Sequence, residues 1–156
     1  MKKILLMLIA ISAFMSSICF ANYYDENPER YIVYDSTSEH KSYVDIESTV
    51  VRRYEPPYYT IDITSYTFDL INDAGYVKEN RYFYDYDKQT IQWQILSLGR
   101  CDEDGNISSL RAMKAKVVYL EIPSSGYLAS EFAFMKSYNM PFSTHLQKIL
   151  EEKANQ

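Results

Sequence analysis

Between residues 50 and 101, bulky and polar side chains alternate along most of the chain, and turn-forming groups break the alternation at regular intervals. These groups are EPP at 55–57, NDAG at 72–75, DKQT at 87–90 and DEDGN at 102–106. A period of two sends neighbouring side chains to opposite faces of an extended chain, so the stretch predicts an antiparallel meander. Residues 31–35 and 41–45 predict two short strands around the turn-rich STSEH at 36–40. Residues 106–115 show no clear period, whereas 116–122 alternates well enough for one more strand. Pro123 ends that strand. Ser124 or Ser125 then caps a helix whose Leu128, Phe132 and Met135 recur at i, i+4 and i+7, a stripe suited to covering the sheet. Asn139-Met140-Pro141 stops this helix. A short last helix is expected from Ser143 or Thr144, with Thr144 and Gln147 at capping-box spacing and Leu146, Ile149 and Leu150 as packing residues. The fold class that follows is α+β: an antiparallel β-sheet of about five to six strands packed against one helix, with a short C-terminal helix.

Two stretches allow finer expectations. In residues 58–71 the apolar positions are first odd (Tyr59, Ile61, Ile63) and then even (Tyr66, Phe68, Leu70). One strand cannot bury both sets on one face, so a bulge or strong twist is expected near residues 64–66, with a positive φ at Gly75 closing the loop that follows. In RYFYDYDKQTIQW, a two- or four-residue turn pairs Tyr86 with Ile91, Tyr84 with Trp93 and Tyr82 with Ile95 on one face. Arg81, Asp85, Asp87, Gln92 and Gln94 fall on the other. Phe83 is then an aromatic on the polar face.

The first 21 residues run from two lysines through an apolar segment to Cys19-Phe20-Ala21, the layout of an export signal cut after Ala21. The weaker alternatives are a lipid anchor at Cys19, which lacks the small residue normally found before it, and an uncleaved apolar anchor. The expected organisation is a signal peptide at 1–21, a loose leader at 22–29 and a single domain at 30–156. Both charges in the signal are lysines, so removing it takes the formal charge from −5 to −7. Such an acidic chain is poorly suited to a phosphate backbone, and nucleic acid is not an expected partner. Cys101 is the remaining cysteine, which leaves no internal disulfide; it reads as a buried apolar residue. With only His40 and His145 besides, no metal site or cofactor is expected.

Each catalytic pattern has a plainer explanation. Asp85 and Asp87 share a strand face, the arrangement of paired carboxylates, yet nothing marks either for the burial that would raise a pKa. Asp102-Glu103-Asp104-Gly105-Asn106 lacks the closing ligands of a calcium loop and fits a hairpin turn. Asp35, Ser36, Ser38 and His40 lie in one loop with no nucleophile-elbow pattern. Pro56-Pro57-Tyr58-Tyr59 is ordinary turn chemistry. No catalytic residues are assigned. What remains is 16 tyrosines, more than a core needs. Tyr23, Tyr24, Tyr54, Tyr58 and Tyr59, in or beside loops, together with Phe83, are the candidate contact residues.

The stretch Tyr43-Val44-Asp45-Ile46-Glu47-Ser48 resembles the Tyr-x-Asp-x-x-Ser turn of the surface-adhesin protein E family of small exported bacterial proteins. The acidic segment at 84–87, the D-x-D-G hairpin at 102–105 and IPSSG at 122–126 are similar to later landmarks of that family. A cysteine pair often found there, beside the acidic segment and near the terminal helix, has no counterpart here: those regions hold Tyr86 and 132–134. The resemblance implies an antiparallel sheet on a helix, placement in the periplasm or at the cell surface, and adhesion to host matrix proteins.

The expected function is therefore that of an exported, non-enzymatic protein-binding or adhesin-like domain, with an extracellular or envelope protein as partner and no stable membrane span after signal cleavage. Two alternatives stand beside it: a small periplasmic hydrolase using surface carboxylates such as Asp85, and an envelope protein that self-associates into a homo-oligomer through a strand edge or Phe83.

Overall fold

Alternation and turns together produce one antiparallel sheet. The computed structural model describes residues 22–143, so the signal and the expected last helix lie outside the described residues. In chain order the elements are α1 (Asn22–Asp25), β1 (Tyr31–Ser36), β2 (His40–Glu55), β3 (Tyr58–Asp69), β4 (Ala74–Asp85), β5 (Thr90–Cys101), β6 (Ile107–Ala112), β7 (Val118–Tyr119) and α2 (Ser125–Tyr138). Strands β1 to β6 lie side by side in sequence order, and β7 pairs with β5 beyond the end of β6. The sheet thus has seven strands, not five or six. β6 arose where no period was readable because all six of its residues are exposed, and a strand that buries neither face has no reason to alternate. Among the described residues no helix is long and apolar enough to cross a membrane.

The two parity sets of β3 are both buried, on opposite faces. Ile61 and Ile63 join Val44, Tyr82, Tyr84, Ile91 and Phe134 beneath α2. Tyr66 and Phe68 join Tyr24, Tyr31, Tyr43, Val77 and Cys101 on the other face. The expected bulge at 64–66 is not in β3, whose register with β4 is unbroken from Tyr58 to Asp69. It lies opposite, in β2, where Asp45 pairs with Thr64 and the next partner is Val50 with Asp62. The Tyr-x-Asp-x-x-Ser stretch builds it. Asp45 accepts the Glu47 N–H at 3.1 Å, Ser48 donates to the Asp45 carbonyl at 2.6 Å, and the Ser48 hydroxyl accepts the Thr64 N–H at 2.8 Å.

Other expectations shift in detail. The β4–β5 turn spans 86–89, so Trp93 faces Tyr82 and Ile91 faces Tyr84, two residues from the predicted register. The cause is local: Asp85 accepts the Lys88 N–H, Gln89 adopts φ 53°, and Tyr86 N–H is drawn to the Pro57 carbonyl. A shift of two preserves the faces. Positive φ in the preceding loop belongs to Asp73, not Gly75; Gly75 lies where a Cβ would meet the Phe68 ring at 2.8 Å. Ser124 caps α2 by accepting the Tyr127 N–H, and Asn139 closes it in the left-handed region with its N–H on Met135. The face of α2 that meets the sheet carries Tyr127, Ser130, Glu131 and Phe134. Leu128, Phe132 and Met135 are only half-buried, the last two beside Ile32 and Ile46. Hydrophobicity missed the buried stripe because polar groups within it are satisfied: Tyr84 donates to the Ser130 carbonyl, and Glu131 accepts the N–H groups of Phe142 and Ser143.

Candidate functional site

The face of the sheet away from α2 divides into a covered end and an open end. At the covered end α1 inserts Tyr24 among Tyr31, Tyr66, Phe68 and Tyr43, with ring centroids 4.7, 4.9, 5.0 and 5.3 Å away. Residues 22–29, expected to be a loose leader, contain this anchor. Tyr24 is fully buried, which removes it from the contact surface. The reason is geometric: a helical turn just before β1 lays the Tyr24 ring into the buried cluster of Tyr31, Tyr43, Tyr66, Phe68, Val77 and Cys101. Burial pushes the Tyr24 hydroxyl far above its ordinary range and the Cys101 thiol up to about 11.

In the middle of this face Asp62 lies between two arginines. Arg81 Nε and Nη2 donate to its two oxygens at 2.7 and 2.8 Å, and Arg52 Nε donates at 2.7 Å. Burial opposes the charged carboxylate, but these hydrogen bonds outweigh it and hold the carboxyl below the usual aspartate range.

The open end is a cleft of about 270 Å³ whose lining includes Tyr58, Phe83, Asp85, Lys88, Gln92 and Tyr119. The register sets Phe83, Gln92 and Tyr119 in one row across β4, β5 and β7. Asp85 and Lys88 are paired at 2.8 Å, and that bond holds the Asp85 carboxyl below its ordinary value.

Beyond the cleft the sheet ends at β6. Ile107, Leu110, Met113, Val117, Val118 and Tyr119 are exposed large apolar residues on this margin. Arg111, Lys114 and Lys116 lie among them, with no acidic residue between Asn106 and Leu120. The strip is tethered to β5 by Met113 N–H to the Leu96 carbonyl at 2.7 Å and by Gln94 Nε2 to the Ala115 carbonyl at 2.9 Å.

The six sequence candidates fall in three places. Tyr23 and Tyr24 belong to the covered end, and Tyr58 and Phe83 meet in the cleft. Tyr54 is exposed, and Tyr59 is half-buried against Phe134 and Tyr138 on the helix side. Tyr119 and the margin at 107–118 were missed, although an acid-free basic stretch in an acidic chain was a signal. Of the hydrolase candidates, Asp35 and His40 do meet, at 3.1 Å, with Thr37 on the other ring nitrogen at 3.1 Å. Thr37 Oγ1 also accepts the N–H groups of Glu39 and His40, which makes the group a hairpin cap. Asp102 likewise accepts the N–H groups of Asp104 and Asn106 within its turn. Comparisons of the chain with protein-family models, with curated proteins and with solved structures give no match.

Proposed function

We propose that this is an exported, non-enzymatic protein-binding domain of the periplasm or cell surface, and that it takes an acidic, extended segment of an envelope or extracellular protein as an added strand on β6. The observation that carries this reading is the margin at 107–119: a terminal strand and its continuation, exposed along their length, apolar and basic in an otherwise acidic chain. A terminal strand offers unpaired main-chain groups to an incoming strand, and alternate side chains of that strand meet the apolar residues. The charge pattern selects the partner. A second copy meeting the same edge would bring the basic sets Arg111, Lys114 and Lys116 of both chains onto one seam, and like charges across a strand pair are destabilising; an acidic strand is complementary. The hydrolase alternative needs a carboxyl kept protonated at neutral pH, and Lys88 drives Asp85 the other way. The similarity of its landmarks to the adhesin protein E family is consistent with protein contact as the role.

The test is fluorescence anisotropy with short labelled peptides alternating valine with glutamate or with lysine. The acidic peptide should bind more tightly, weaken with added salt, and lose binding when its alternate peptide nitrogens are methylated or when Arg111→Glu and Lys114→Glu are combined. Equal binding of the basic peptide, or indifference to methylation, would refute strand addition.

A further inference from the structure

We propose that the cleft between β3, β4, β5 and β7 binds a neutral saccharide. Three aromatic side chains of the open face converge there: Tyr58 from the start of β3, Phe83 from β4 and Tyr119 from β7. Gln92 is the direct cross-strand neighbour of both Phe83 and Tyr119, so it lies between them in one row. Two strand spacings separate the backbones of Phe83 and Tyr119 by roughly 10 Å. That width lets a saturated six-membered ring lie between aromatic side chains with an amide beneath it. Arg53 lies 5.4 Å from the centroid of Tyr58, giving that ring a second neighbour besides the cleft.

The polar groups decide the ligand class. The charged pair of the cleft, Lys88 and Asp85, is satisfied internally, by the ammonium at 2.8 Å and by the Lys88 N–H at 3.2 Å. An ionic ligand would have to compete with this pairing. By contrast, the Gln92 amide, the Thr90 hydroxyl and the hydroxyls of Tyr58 and Tyr119 make no side-chain hydrogen bond to another described residue. The cleft therefore offers neutral donors and acceptors around aromatic surfaces, complementary to a molecule with C–H faces and hydroxyl edges. Its volume of about 270 Å³ suits one sugar unit and part of the next. The cleft is separate from the β6 edge, although Tyr119 belongs to the same margin.

The experiment is saturation-transfer difference NMR on the folded protein with three neutral probes: maltotriose, cellotriose and chitotriose. At least one should show transfer to its ring C–H protons with a dissociation constant of about 1 mM. Tyr119→Ala, at a residue 68% exposed and thus replaceable without unfolding, should weaken this at least about tenfold. Gln92→Ala should weaken it less, and Ile71→Ala, in the turn after β3, should not change it. The combined Arg111→Glu and Lys114→Glu variant should retain the saccharide signal even where it loses the acidic peptide. Absence of transfer from all three probes would overturn the proposal, as would transfer indifferent to Tyr119→Ala. A Tyr119-dependent signal from the acidic peptide alone would reassign the cleft to protein contact.

Discussion

Trp93 stands directly across from Tyr82, and its indole N–H reaches sideways to the Asn80 side-chain oxygen at 3.0 Å. Asn80 is itself buried and donates to Ser65 Oγ at 2.9 Å, so one amide ties β3, β4 and β5 together on the helix-bearing face of the sheet. Replacing it leaves a partly buried indole donor without its acceptor. Asn80→Ala should cost about 1–3 kcal/mol, read as a lower urea midpoint of the emission of the single tryptophan. An unchanged midpoint would mean that water replaces the amide.

Tyr24 covers Cys101, and the two should respond together. Tyr24→Ala removes a fully buried ring and should destabilise by about 3–5 kcal/mol. In the wild type, burial raises the thiol from 9.0 to about 11, so native Cys101 is protonated and enclosed at pH 8 and should react slowly with a disulfide reagent. The folded value lies above the unfolded one; its contribution to stability is therefore complete below pH 9 and is lost as the pH rises through about 11. Reaction at the rate of the unfolded chain would contradict this burial.

Asp62 works in the opposite direction. Its folded pKa is depressed below 3.8, so its contribution is present at neutral pH and disappears as the pH falls through the lowered value. Asp62→Asn should cost about 1–3 kcal/mol at pH 7, since Arg52 and Arg81 are partly exposed and regain water when unpaired. The difference between variant and wild type should shrink in strong acid. Thermal melts of both proteins at neutral pH and in strong acid measure it.

At Gly99 an added Cβ would overlap the Ser109 carbonyl of β6. The absence of a side chain is what lets the edge strand approach. Gly99→Ala should force β6 outward, lower stability by about 1–3 kcal/mol and weaken capture of the acidic peptide, while saccharide transfer at the cleft persists. Hydrogen exchange of the amides at 107–112 would locate the disturbance; unaltered protection there would count against it.

Much of this was readable because it is local. Turn positions follow from Pro, Gly, Asn and Asp, and the ends of α2 follow from Ser124 and Asn139, each decided by hydrogen bonds within a few residues. The face assignment of Tyr82, Tyr84, Ile91 and Trp93 survived a register two residues away from the expected one, because an even slip leaves parity intact. The cleft is half legible: Phe83 is an aromatic on a polar strand face, and Tyr58 stands beside a Pro-Pro turn.

The sequence by itself determined the period, the turns and the split of bulky and polar side chains between two faces, since these depend on neighbours in the chain. Only the tertiary structure decided which faces are covered, because the covering groups come from far along the chain: α2 over Ile61 and Ile63, and Tyr24 over Tyr66 and Phe68. Side-chain chemistry does not state whether a distant segment will land on it. That is why Tyr24 became core, Tyr119 became surface, and the two candidate surfaces emerged where none of the described segments packs.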